Sequence, residues 1–185
     1  MEEVVCAKAF HLLDSQGKVC AAWMVDEKDQ PGFALYGKSP TPRALLFLGE
    51  NDNPVLTFMD KNGRGMLTLS LAEDLPLLTL SDSRGTPRIS LSLPLETPTL
   101  ELQDERGCAR ARLRLGNRQS PAFDLCDEAG KSRLGFLLGE KDQKGRLLFF
   151  DEEEEVRGVI GLDNQQTPHF EGFSEEDLMV WRLGE

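Results

Sequence analysis

Residues 78–93 read LTLSDSRGTPRISLSL and residues 100–115 read LELQDERGCARARLRL; set one over the other they give the pattern Leu-x-Leu-x-Asp-x-x-Gly-x-x-Arg-x-x-Leu-x-Leu. Apolar residues alternate with polar ones on both sides of an Asp-x-x-Gly segment, the period-two signature of a strand on each side of a turn. Working outward, the Asp recurs as Asp14, Asp60, Asp82, Asp104, Asp127 and Asp151, with Gly37 and Ser174 in the same place in two degenerate copies. The chain of 185 residues is therefore eight copies of a unit of 22–24 residues. Units of that size do not bury an apolar face alone and are stable only when neighbours stack on them, so the reading is one β-repeat domain over residues 1–185.

Counted from the turn position, the residues four and two before it and seven, nine and eleven after it are apolar in 37 of 40 places, the exceptions being Gly158, Gly172 and Glu185. These five columns are the expected core. An Asp in first place accepts backbone N–H bonds, and a Gly in fourth place takes positive φ without steric cost, so turn chemistry accounts for the Asp column. The second connection ends in Pro31, Pro54, Pro76, Pro98, Pro121 or Pro168, as suits the start of a strand that needs no ladder donor there.

The fold class expected is all-β: an array of two-stranded hairpins or a two-sheet β-solenoid, with a closed four-bladed propeller-like ring as the alternative. Strand parity divides these. A two-residue turn with a bulged Gly sends the apolar columns before and after the turn to opposite faces, whereas a four-residue loop or a two-sheet solenoid keeps them together.

The repeat resembles that of a group of uncharacterised bacterial proteins and, more distantly, the tyrosine-aspartate (YD-type) repeats of bacterial toxin shells, whose tyrosines are missing here. Proteins of the first kind often carry a membrane helix or coiled coil before the repeats. The resemblance implies a repeat scaffold and brings no catalytic residue with it.

Composition narrows the function classes. A net charge of −11 disfavours nucleic acid and anionic membrane as partners. No apolar run approaches the ~18 residues of a membrane-spanning helix, and the start of the chain lacks a basic signal-peptide region. The chain as it stands reads as cytoplasmic; as an excised ectodomain it would read as a cell-surface protein. Cys6, Cys20, Cys108 and Cys126 form no C-x-x-C pair, so reduced thiols are expected and zinc is not. His11 and His169 fall at outward strand positions, and the run Asp151 to Glu155 reads as a solvated loop.

No motif for nucleophilic, dinucleotide, phosphate or metalloprotease chemistry is present, so no catalytic residue, cofactor or metal is assigned. A second polar column, Arg43, Arg88, Arg110, Arg133 and Arg157, stands six places after the turn position, and its repetition points to a role in the fold. For an enzyme acting on polysaccharide, Asp124 and Glu101, outward on neighbouring copies, are the least implausible carboxylate pair, and nothing in the sequence singles them out.

Outward positions of the central copies are polar, whereas those of the end copies turn apolar. That asymmetry nominates Met24, Tyr36, Leu45, Phe47, Leu137, Phe150 and Phe173 as an interface, for a homo-oligomer or another protein. The function expected is a non-catalytic structural or protein-interaction module. A carbohydrate- or calcium-binding module on the stacked Asp and Arg edge is the alternative, and an enzyme acting on polysaccharide the third reading.

Overall fold

The computed structural model describes residues 6–116, 119–139, 141–162, 165–174 and 179–183. The backbone divides into two units, Met1–Pro87 and Arg88–Glu185. The first holds β1 (Ala9–Leu13), β2 (Val19–Val25), β3 (Pro31–Tyr36), β4 (Pro42–Leu48), β5 (Pro54–Met59), β6 (Gly65–Ala72) and β7 (Leu75–Ser81). The second holds β8, which spans Pro87–Ser92 and starts on the last residue of the first unit, and β9 (Thr99–Gln103), β10 (Ala109–Leu115), β11 (Pro121–Cys126) and β12 (Ser132–Leu138). It continues with β13 (Gly145–Phe150), β14 (Val156–Leu162), β15 (Pro168–Phe173) and β16 (Met179–Leu183). No helix among the described residues is long and apolar enough to cross a membrane.

Within each unit every strand pairs antiparallel with its neighbours in the chain. The fold is all-β and takes the hairpin-array form. The four-bladed ring does not form: β4 is hydrogen-bonded to β5, β8 to β9 and β12 to β13, so the ladder runs on through the three places where blades would part.

Each of the six copies that carry the Asp is one hairpin closed by the Asp turn. In the first, the Asp14 N–H donates to Lys18 O at 2.8 Å and the Gly17 N–H to Asp14 O at 3.0 Å, while Asp14 Oδ1 accepts the Gln16 and Lys18 amides at 2.9 and 3.0 Å. Gly17, Gly63, Gly85, Gly107 and Gly130 all have φ between 78° and 86°, the left-handed region that a Cβ disfavours. In the copy at Asp151 the glycine is replaced by Glu154, at φ 66°.

The strand parity is settled one residue beyond the turn. Leu12 pairs with Ala21 but Leu13 with Val19, so Cys20 is the extra residue of a β-bulge. Arg110 is skipped in the same way between Ala109 and Ala111, Arg133 between Ser132 and Leu134, and Arg157 between Val156 and Gly158. The bulge returns the apolar columns on both sides of the turn to one face of the sheet.

On that face the cross-strand partners align into rows. One runs Phe10, Trp23, Phe33, Leu46, Leu56, Leu69, Leu78 in the first unit. In the second it runs from Leu91 through Leu100, Leu113, Phe123, Phe136, Leu147, Ile160 and Phe170 to Leu183. The expected core columns thus share a face, but they are not sealed. Trp23 is 65% exposed, Leu69 45% and Leu113 50%, and among the described residues no large side chain is fully buried. The buried residues are mainly small ones of the opposite face, such as Ala22, Ala34, Thr57, Ser90 and Asp124. The cause lies in the layering: within each unit the strands contact chiefly their chain neighbours, so no second layer of the same unit lies on the apolar face. Glu185 and the side chain of Trp181 lie outside the described residues.

One break in the apolar columns has a steric origin. A Cβ on Gly158 would lie 3.2 Å from Phe170 Cε2 and 3.3 Å from Phe149 Cδ2, because these two rings, with centroids 6.1 Å apart, close over it. Gly172, the second break, pairs across the ladder with Gly158.

Candidate functional site

Three surfaces carry chemistry: the apolar face, the opposite face, and the edge along which the Asp turns stand. On the apolar face the side-chain rows enclose shallow troughs. In the first unit one of about 470 Å³ lies among Trp23, Phe33, Leu46 and Leu48, walled by Pro31 and Pro54. In the second, one of about 580 Å³ lies among Leu113, Phe123, Phe136, Leu147 and Ile160. The described residues of the five apolar columns include no charged side chain. In four copies a large residue faces a small one: Leu12 faces Ala21, Leu35 faces Ala44, Leu102 faces Ala111 and Phe149 faces Gly158.

The turn edge is a chain of links from copy to copy. Each bulge arginine reaches a carbonyl of the following turn: Arg43 Nε donates to Met59 O at 2.9 Å, Arg88 Nε to Gln103 O at 2.9 Å and Arg110 Nε to Cys126 O at 3.2 Å. Arg133 donates to Asp151 O and Arg157 to Ser174 O. Arg110, Arg133 and Arg157 also pair with the carboxylates of their own turns, Asp104, Asp127 and Asp151. A parallel set starts from the residue after the turn, with Lys18 donating to Lys38 O, Arg64 to Ser83 O and Lys131 to Glu152 O. The extra residue of a bulge re-aims its side chain, which is why the arginine sits there. Backbone N–H bonds, first those from Lys18, Arg64, Arg84 and Arg106, hold the carboxyls of Asp14, Asp60, Asp82 and Asp104 below the ordinary value of 3.8.

Among the described residues the opposite edge repeats the device once, where no copy pattern marked it. The Asp26 N–H donates to Gln30 O at 2.9 Å and Asp26 Oδ1 accepts the Lys28 and Gln30 amides, with Asp29 at φ 61° in place of glycine. The readable signal was Asp26 followed three places later by Asp29, since Asp tolerates the left-handed region better than most residues.

On the covered face Glu101, Arg112 and Asp124 stand side by side on β9, β10 and β11. Arg112 Nε donates to Glu101 Oε1 at 2.8 Å, and Arg114 Nε donates to Asp124 Oδ2 at 2.9 Å. The two carboxylates singled out as a possible acid and base are therefore separated by a strand and each engaged by a guanidinium. Asp124 is 4% exposed, packed against Gly135, where a Cβ would meet Phe150 Cε2 at 3.1 Å.

The nominated interface residues Met24, Tyr36, Leu45, Phe47, Leu137, Phe150 and Phe173 all lie half-buried on this covered face. In the first unit their side chains surround Ala22 and Ala34, which are 2% and 0% exposed. His11 is exposed, and His169 is half-buried with Nε2 3.7 Å from Glu171 Oε1. The four cysteines are unpaired, and burial pushes the Cys126 thiol up from its ordinary value. Among the described residues no three His, Cys, Asp or Glu side chains are grouped as a metal site requires. The run from Glu152 to Glu155 is exposed, as expected of a loop.

No protein-family model matches the chain, and no curated protein shows a significant match to it.

Proposed function

We propose that the chain is a non-catalytic structural or protein-interaction module whose working surface is the apolar face of its sheet. The observation that supports this most is the row of apolar side chains crossing the strands of each unit, most of them 37–66% exposed. Apolar patches of such extent on soluble proteins mark surfaces that another polypeptide covers. The calcium- or carbohydrate-binding reading has less support, because the turn carboxylates spend Oδ1 on two backbone amides each and several spend Oδ2 on arginine.

Lysine substitution at Leu69 and Leu113 tests the proposal. The expected result is an unchanged β-sheet circular dichroism spectrum with reduced binding of a hydrophobic dye at high dilution. Loss of the β spectrum in both variants would mean that the face is the chain's own core, and would sink the reading.

A further inference from the structure

We infer that the occupant of the apolar face is a second copy of this chain, packed face to face so that two single-layer sheets make one sandwich. The inference rests on the reading of that face as the working surface and names what covers it.

Three observations favour a copy over an unrelated partner. The first is area. A strand of about five residues adds roughly 80 Å² of flat face at ~4.8 Å strand spacing and ~3.4 Å rise. The nine strands of the second unit alone would then bury about 1,500 Å² over two partners, a standard stable interface. The second observation is charge. At −11 the chain repels its own copy at long range, yet the described residues of the five columns are uncharged, so contact desolvates no ion.

The third is relief. Ridges at Leu35, Leu102 and Phe149 face dips at Ala44, Ala111 and Gly158, whereas Phe58 faces Leu67 and Leu125 faces Leu134. A partner that fills those dips needs ridges at the same spacing, and a second copy related by a two-fold axis carries them. Inner faces of two sheets interdigitate in this way about 10 Å apart. The troughs at Leu46 and Leu113 would receive the partner's ridges.

The test is absolute mass by light scattering after size exclusion, on the full chain over a wide concentration range at 50 mM and 500 mM NaCl. The expected result is twice 20.6 kDa, with the dimer tightened by salt as repulsion is screened and apolar burial strengthened. Leu69→Lys and Leu113→Lys should give monomers that keep the β spectrum, whereas Thr68→Lys, one residue along on the opposite face, should remain dimeric. A mass of 20.6 kDa at every concentration, with the fold intact, would overturn the second copy as occupant and leave the working-surface reading standing for a different partner. A dimer that survives both leucine substitutions, or that dissociates with rising salt, would overturn it too, since edge strands or ion pairs would then hold the copies. If one of the two lysine variants fails to fold, carbene footprinting of the unaltered chain decides: protection at Leu69 and Leu113 that rises with protein concentration supports the sandwich, and constant labelling overturns it.

Discussion

Arg110, the extra residue of the bulge in β10, donates its Nε to the carbonyl of Cys126, sixteen residues further on and in the next hairpin. The same side chain stands 3.7 Å from Asp104 of its own turn. One guanidinium thus ties a turn to its successor, and a sheet with no second layer from its own unit is held together along its edge as well as through its ladders.

Arg110→Met keeps the apolar stem and removes the donor. The midpoint of urea unfolding should fall by the equivalent of about 1 kcal/mol, the usual worth of a hydrogen bond from a charged donor after solvent competition. Arg110→Lys should recover only part of it, because an ammonium lacks the planar fork that serves carbonyl and carboxylate together. Equal midpoints for all three proteins would remove the arginine column from the account of stability.

Gly85→Ala isolates the cost of the turn conformation. Its φ is 86° and an added Cβ meets nothing within 4 Å, so the loss of about 1–2 kcal/mol expected from a left-handed alanine is purely conformational. Gly145→Ala also meets nothing within 4 Å, and its φ is not in the left-handed region. It should be neutral or gain about 0.5 kcal/mol by restricting the unfolded chain. Similar losses for the two variants would contradict this.

The Asp turns set an acid limit. The folded carboxyls of Asp14, Asp60, Asp82 and Asp104 lie below 3.8 because backbone amides point at them. The unfolded chain therefore binds protons first, and the stability these groups contribute is whole above the ordinary carboxylate value and lost as pH falls through the lower folded values. Unfolding midpoints taken from pH 6 down to pH 2 should drop most steeply below pH 4. Asp82→Asn keeps an acceptor oxygen but cannot titrate, so its drop should be shallower; an identical slope would place the acid sensitivity elsewhere.

Asp124 is buried and its partner is not: the side chains of Arg114 and Asp124 are 42% and 6% exposed. Arg114→Met strands a carboxylate and should cost about 1–3 kcal/mol, the desolvation penalty of a buried polar group left without its bond. Adding Asp124→Leu should restore much of that, since removing both members of a covered pair is far less costly than removing one. A double variant no better than the single one would show that the aspartate, rather than the pair, matters to the sheet.

The repeat, the turn chemistry and the strand count were readable because each depends on neighbours in sequence: Asp14 and Gly17 make their turn with residues no more than four places away. The bulge was not readable, since Arg110 looks like any outward strand residue until the pairing of Ala109 with Gln103 and of Ala111 with Leu102 exposes it. Which face is apolar was likewise legible, but whether it is covered was not. Periodicity reports on the alternation of Leu67 and Leu69 with Thr68, and says nothing of how many layers the strands form. The residues nominated as an interface, Phe47 and Phe150 among them, were found by their departure from that alternation; on the covered face such a departure is how Ala34 and Gly135 come to be enclosed.

The links along the turn edge all point the same way: Arg110 serves the turn after its own, Arg133 the next and Arg157 the one after that. Such a row has a sense, as a strand of nucleic acid does. Each copy lends a donor downstream and borrows one from upstream, so excising one whole period leaves every lender facing a borrower. Gain or loss of a copy by duplication or deletion of the gene segment therefore creates no orphaned group at the join, and the length of the sheet is free to change in steps of one hairpin.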